Sequence, residues 1–489
     1  MRIRRALIGI CLVAFLAGCG KNTDKNVTAP ENGNAVTETP AGMQGNDTAG
    51  ESTEENAGSS AEGSTEGSAD SSGEESTEES TTPAPTATPK PTATPIPTPY
   101  VDEAYWQEVL ESFSDSKYDL TEALTGPALK DWCKGYFKLG VGLTGSAASN
   151  MAINSPEYMA VAGKHFNSVT LTNLMKPTYL LNQEGSMKNS AAGNEEPAVD
   201  FSGVTEVLQW CMDNGVQMRG HTLVWHTQTP DWYFREGYTN DGAYVDRETM
   251  LFRLDSYIKQ VLTFCQENYP GVVYCWDVVN EAVDPDFGDK DNFYCCRTEC
   301  DGAPNPWYVV VGDDYVEQAF RSARKYAAEN VKLFYNDFNT FYTAKTNYIY
   351  KLCEYLAAEG LIDGIGMQGY WDGATTSMVE RAIKTFAKLG LEIHITELTL
   401  NIDDLSEEQL NKQANKYGNF FYTLSYLDDQ GGGPANITSV TLFGLQDGFV
   451  MYGGTDKTTS RIFDTNFKKK PAFERIERIM SINYKNREE

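Results

Sequence analysis

From residue 101 onward the chain alternates two textures of hydrophobic and polar positions. Short runs rich in Val, Ile, Leu and aromatic residues occur at 137–143, 165–171, 216–225, 273–281, 332–337, 364–370, 392–398 and 439–445. Their length and β-branched content predict strands. Between them lie stretches with apolar residues at helical spacing, such as 204–214, 251–268, 314–328, 348–358 and 378–389. A last one, 471–480, opens on Pro471, a residue suited to the first turn of a helix. Strand-like runs each followed by a helical one predict an α/β fold of the (β/α)8, or TIM-barrel, type. The folded domain is expected at 101–489, with Phe320, Tyr326, Phe334, Tyr348 and Tyr355 at core-like positions.

The first hundred residues follow neither texture. Arg2, Arg4 and Arg5 precede an apolar stretch at 6–16, which is short of the roughly twenty residues a membrane span needs. Leu16-Ala17-Gly18-Cys19 then looks like a bacterial lipobox. Residues 1–19 are therefore expected to be a lipoprotein signal peptide, with Cys19 lipid-modified so that the chain is anchored to a membrane without spanning it. Residues 20–100 hold Ser, Thr, Glu, Gly and Ala and close in Pro-Thr repeats, with no aromatic residue from Asn22 to Pro99. So little apolar surface cannot offset the entropy of ordering, and a disordered tether is expected. The location implied is the extracellular face of a bacterial cell envelope.

Charge and cysteine content narrow the partners. The chain carries 40 Lys+Arg against 69 Asp+Glu, a formal net charge of −29. That balance repels phosphate backbones and excludes nucleic acid as a partner, and a soluble monomer is expected. Cys133, Cys211, Cys265, Cys275, Cys295, Cys296, Cys300 and Cys353 fall in the folded part. Export permits disulfides, a domain of this size does not require them, and the sequence does not select among the pairings. The Cys295-Cys296-x3-Cys300 cluster lacks a nearby His or a second Cys pair at zinc-ligand spacing, so disulfides or free thiols are expected, without metal or cofactor.

In barrels of this kind the reacting groups project from the C-terminal ends of the strands. The second run is followed by Asn173 and Lys176; the third carries Arg219, His221 and Trp225 and then His226; the fourth ends on Asn280 and Glu281. The fifth ends Tyr335-Asn336-Asp337, the sixth Gln368-Gly369-Tyr370-Trp371, and the seventh His394-Ile395-Thr396-Glu397. A carboxyl at the end of an apolar strand is costly to bury without a partner or a task. Glu281 and Glu397 meet the requirement of glycoside hydrolysis, in which one carboxylic acid protonates the leaving oxygen while a carboxylate acts at the anomeric carbon. The bland alternative is that each satisfies Arg219 or Lys176 in a network at the barrel mouth. Asp277 and Asp337 read as framework hydrogen-bonders and His165, opening a strand-like run, as structural. Trp307 and Tyr308 are candidates for lining the leaving-group side.

Six motifs together resemble glycoside hydrolase family 10, the retaining endo-β-1,4-xylanases: His-Phe-Asn-Ser-Val-Thr at 165–170, Arg-Gly-His-Thr-Leu-Val-Trp-His at 219–226, Trp-Asp-Val-Val-Asn-Glu at 276–281, Leu-Phe-Tyr-Asn-Asp at 333–337, Gly-Ile-Gly-Met-Gln at 364–368 and His-Ile-Thr-Glu-Leu at 394–398. The resemblance implies that Glu281 is the general acid/base and Glu397 the nucleophile, a pair expected about 5–5.5 Å apart. It implies that Asn280 and Gln368 bond the sugar at the cleavage point and the nucleophile. Asn173, Lys176 and His221 would bind hydroxyls on the non-reducing side, and Trp225 would wall a sugar face. The substrate implied is xylan.

Four positions depart from the family pattern. Tyr370 stands where the family usually has His, and Thr399 where it has the Asp that completes a chain to the nucleophile. Joint loss reads as a rewired site, since losing one partner alone strands the other; the Tyr370 hydroxyl is a candidate donor to Glu397. Thr172 replaces a Glu and Phe443 a Trp. Two other readings follow from these departures: a family member acting on another β-linked glycan or a decorated xylan, or a catalytically impaired surface protein that only binds xylan.

Overall fold

The computed structural model describes residues 99, 101–145, 151–300, 302–448 and 459–485. The expected signal peptide and lipobox, and the tether apart from Pro99, lie outside the described residues. Within them, parallel strands close into a barrel: β1 Lys138–Leu143, β2 Ser168–Leu171, β3 Gln217–Trp225, β4 Val273–Asn280, β5 Lys332–Asp337, β6 Gly364–Met367, β7 Glu392–Leu398 and β8 Asn436–Leu442. Each strand pairs with its sequence neighbours, and β8 closes the ring on β1 through Lys138↔Ser439 and Leu139↔Val440.

A helix follows each strand: α1 Pro156–His165, α2 Thr205–Asn214, α3 Arg247–Asn268, α4 Tyr315–Tyr326, α5 Thr343–Ala358, α6 Thr376–Phe386, α7 Glu407–Leu427 and α8 Pro471–Lys485. Their starts are written in the sequence. Ser155, Asp246, Thr375 and Ser406 each accept a backbone N–H of the first turn with their side chains, satisfying donors a helix leaves free. Val, Leu and Ile side chains such as Val261, Leu262, Ile383 and Ile395 are fully buried, each contributing roughly 1.5–3 kcal/mol by leaving water. One glycine sets the spacing of two strands: a Cβ on Gly220 would lie 2.3 Å from the ring of Trp276 in β4, so β3 and β4 pair only with glycine there.

Some edges differ from the sequence reading. His165 closes α1 instead of opening a strand. Asn167 breaks the run by turning its Oδ1 to the Leu139 N–H at 3.0 Å, and β2 starts only at Ser168. His165 is structural, as read: its Nδ1 accepts from the Leu129 N–H, so its Nε2 carries the proton that bonds Ala123 O at 2.7 Å. Burial, with three neighbouring lysines, keeps that ring neutral well below the usual imidazole range. β6 ends at Met367 and β8 at Leu442, although the next residue of each still bonds its neighbouring strand, Gln368 N–H to Asp337 O at 2.9 Å and Phe443 N–H to Leu398 O at 3.0 Å. Tyr355, read as core, is 37 % exposed.

Candidate active site

The strand ends bring two carboxylates into one hydrogen-bonded network. Glu281 follows β4, its backbone N–H donating to Asn336 O at 2.9 Å. Its Oε1 accepts from Gln368 Nε2 at 2.7 Å and its Oε2 from Trp225 Nε1 at 3.0 Å. Glu397, near the end of β7, accepts from Asn336 Nδ2 on Oε1 at 3.2 Å and from the Tyr370 hydroxyl on Oε2 at 2.7 Å. The register of β7 against β8 shifts between Ile395 and Leu398, an irregularity of the kind that re-aims a side chain. Asn280 ties the halves together: its Oδ1 accepts from Asn336 Nδ2 at 2.9 Å and from Gln368 Nε2 at 3.3 Å. Thr396 Oγ1 donates to Asn336 Oδ1 at 2.8 Å, which fixes the orientation of that amide and leaves its N–H groups to Asn280 and Glu397.

The non-reducing-side candidates lie against the same pair. Lys176 Nζ donates to Asn173 Oδ1 at 3.2 Å and sits 4.8 Å from the centre of the Trp225 ring. Burial brings the Lys176 ammonium down to about 8, opposed by the charges of Glu397 and Glu281. His221 Nδ1 donates to Asp277 Oδ2 at 2.9 Å. Asp277 also receives a two-pronged contact from Arg219, at 2.6 and 3.1 Å, with all of these groups buried. Arg219 uses its third donor, Nε, on His394 Nδ1 at 3.0 Å, so His394 presents Nε2–H to Thr438 Oγ1 at 2.8 Å. Asp277 is therefore framework, and so is Asp337, held by Lys345 at 2.8 Å and by the Tyr335 hydroxyl at 2.5 Å. Burial pushes the Glu397 carboxyl above the usual carboxylate range; His221, the Tyr370 hydroxyl and Lys176 hold it down, while Glu281 adds to the rise.

Asn173, Lys176, His221, Trp225, Asn280, Glu281, Gln368, Tyr370 and Glu397 thus lie around one pair of carboxylates, with two differences of role. Gln368 bonds Glu281, and the donors that reach Glu397 come from Asn336 and Tyr370. Asn336 was not among the candidate site residues; its place at the end of a strand run is the signal that could have found it. Trp307 is 1 % exposed and does not line a cleft. It packs edge-on against Phe234 and donates Nε1 to Trp225 O at 3.4 Å, backing the Trp225 wall from behind. Tyr308 instead donates its hydroxyl to Asp289 at 3.0 Å. Thr399 is buried beside Tyr370, the two forming a short parallel bridge, and its hydroxyl has no hydrogen-bond partner. The Cys133, Cys211 and Cys353 thiols are unpaired, and burial pushes each above its usual range. Among the described residues no group of three or more His, Cys, Asp or Glu is placed to hold a metal ion.

A pair of strand-end carboxyls joined by amide donors, beside a buried lysine and an indole, is an arrangement that can deliver a proton on one side of a bound sugar and a nucleophile on the other. Comparison with known proteins agrees. The model for Glycosyl hydrolase family 10 matches residues 128–479. A putative endo-1,4-β-xylanase of Caldicellulosiruptor saccharolyticus is 44% identical over 310 residues, 61% of this chain and 95% of that protein. Endo-1,4-β-xylanase B of Butyrivibrio fibrisolvens is 41% identical over 335 residues, 68% of this chain but 49% of the longer relative. Among solved structures, the N-terminal endo-1,4-β-D-xylanase modules of Clostridium thermocellum in complex with xylohexaose superpose with a TM-score of 0.64 at 31% identity, covering 73% of this chain and 67% of that one.

Proposed function

This chain belongs to glycosyl hydrolase family 10, and from that premise we propose how its site works: it hydrolyses internal β-1,4-xylosidic bonds of xylan with retention, Glu397 acting as nucleophile and Glu281 as general acid and base. The observation that carries this reading is the single network in which Asn336, Asn280 and Gln368 connect the two carboxylates. Glu281 gives its proton to the glycosidic oxygen as Glu397 attacks the anomeric carbon, and the leaving chain departs with a new hydroxyl. Glu281, now a carboxylate, takes a proton from water as that water attacks the same carbon and Glu397 leaves. Each oxygen of Glu397 has a donor, which favours the ionised form that attacks and is later expelled. Asn173 Nδ2 is buried with no acceptor in the protein, which leaves that donor for a sugar hydroxyl, and Lys176 and His221 stand ready for others. Trp225 supplies the apolar wall.

A chain that only binds xylan has no need for this connected acid–nucleophile pair. The test is reducing-sugar release by residues 101–489 from xylan, arabinoxylan, mixed-linkage glucan and cellulose, compared with Glu281→Ala and Glu397→Ala. The reading expects xylo-oligosaccharides that vanish in both variants; binding without release by the unaltered protein would contradict it.

The Arg-rich start, the apolar stretch and Leu16-Ala17-Gly18-Cys19 support lipid anchoring through Cys19 to the outer face of a bacterial envelope. Residues 20–100 then act as a spacer for a monomeric barrel. Metabolic labelling with a fatty acid checks this, because Cys19→Ala should abolish the label.

A further inference from the structure

Glu281 has a left-handed backbone, with φ 60°, although it is not glycine. Such a conformation costs of order 1 kcal/mol or more and persists only where the surroundings impose it. The segment that begins there is pinned at successive backbone groups. Glu281 N–H donates to Asn336 O, Val283 N–H to the Tyr335 hydroxyl, and Asp284 N–H to Cys295 O, each at 2.9 Å. The grip on the Glu281 carbonyl comes from sixteen residues further along the chain. Arg297 Nε donates to Glu281 O at 2.9 Å, and the Arg297 backbone N–H donates to Ala282 O at 2.7 Å. Its Nη1 pairs with Asp284 Oδ2 at 2.8 Å, with the Arg297 side chain only 11% exposed. Asp284 in turn starts the loop, its Oδ1 accepting from Asp286 N at 3.0 Å and Phe287 N at 3.1 Å. The loop is close-packed around this pair, since a Cβ on Gly288 would lie 2.4 Å from Asp284 O and 2.5 Å from Cys295 O.

We propose that Arg297, locked by Asp284, is a positioning residue for the general acid: it holds the strained backbone of Glu281 so that the carboxyl stays aimed at the leaving oxygen. The guanidinium grips the carbonyl of Glu281, while the carboxylate is held by Trp225 and Gln368. That division matters chemically. A lone arginine on the carboxylate would favour its ionised form and weaken it as an acid, whereas here the charge is met by Asp284. The segment from Asp284 to Arg297 thereby becomes part of the catalytic apparatus.

The proposal rests on Glu281 being the acid, and the test separates the two. Aryl β-xylobiosides with leaving groups from 2,4-dinitrophenol to phenol are hydrolysed by the unaltered enzyme, Arg297→Gln, Asp284→Asn and Glu281→Ala. Dinitrophenolate leaves with little help from an acid, and phenol needs one. Arg297→Gln is expected to lose about tenfold or more in kcat/KM on the phenyl substrate and on xylohexaose, and to stay within about threefold on the dinitrophenyl substrate. Asp284→Asn should follow the same pattern more weakly, and it carries the comparison alone if circular dichroism shows Arg297→Gln unfolded. A loss equal for all leaving groups, or no loss, overturns the positioning role. If Glu281→Ala itself shows no dependence on the leaving group, the assignment of the acid fails and this proposal fails with it.

Discussion

Replacing Tyr370 by Phe removes one hydroxyl, and with it the donor 2.7 Å from Glu397 Oε2. A hydrogen bond to a charged group is worth about 1.5–3 kcal/mol. Tyr370 is 37 % exposed, so water partly replaces the lost donor and the lower end, about 1.5 kcal/mol, is the better figure. That corresponds to about a tenfold change in an ionisation equilibrium. The sign follows from which form is held: the hydroxyl favours the carboxylate, so without it Glu397 protonates at higher pH. Glu397 must be ionised to attack, and the acidic limb of kcat/KM for an aryl β-xylobioside should therefore move up by about one pH unit in Tyr370→Phe. The same loss makes Glu397 a poorer leaving group in the second step, so kcat on an activated substrate should fall while the first turnover stays fast, giving a burst. An acidic limb that stays in place, or moves down, would refute the assignment of Tyr370 as the group that holds the nucleophile.

Other consequences follow from the same geometry. Lys176, brought down to about 8 by burial, loses its charge as pH rises through that value, so KM for xylohexaose should climb above about pH 8 and Lys176→Met should abolish that dependence while raising KM throughout. Asp277→Asn leaves Arg219 buried without its counter-charge; it should cost about 3–5 kcal/mol of stability, read as a lower urea midpoint. Thr399→Asp alone places a buried carboxyl beside the Tyr370–Glu397 contact. It should therefore be less active on xylan than the double variant Tyr370→His, Thr399→Asp; the reverse order would show that the two positions do not act as a unit.

The barrel was legible because its strands are buried on both faces and so appear as compact apolar runs, and the two glutamates stood out because a charge at the end of such a run needs a reason. Boundaries were less legible. The run at 165–171 looks continuous, but Asn167 satisfies the Leu139 N–H, and a side chain that bonds across to another strand leaves no mark on periodicity. Tyr355 has helical spacing, yet its hydroxyl reaches Glu317 at the surface at 2.7 Å, an option open to tyrosine and closed to phenylalanine. Within the site, Asn336 shares its place at the end of a strand run with the neighbouring Asp337, so that signal marks both without choosing between them. Only the closing of the barrel puts its amide between Asn280 and Glu397. Arg297 was harder still, because its partner at Glu281 is a backbone carbonyl in a left-handed residue, and neither feature has a sequence signature. The replacement of His and Asp by Tyr370 and Thr399 could be seen in the sequence, whereas its consequence, a neutral hydroxyl in contact with the nucleophile, required the geometry.

The most direct test of the two-carboxylate account is to trap the covalent intermediate. A 2-deoxy-2-fluoro-β-xylobioside with a good leaving group slows both steps, the second more, so the glycosyl-enzyme accumulates and its peptides can be mapped by mass spectrometry. The account predicts one fluoroxylobiosyl group on the peptide that contains Glu397, absent in Glu397→Ala. A label on Glu281, or no label in an enzyme that releases xylo-oligosaccharides with inverted configuration, would contradict it.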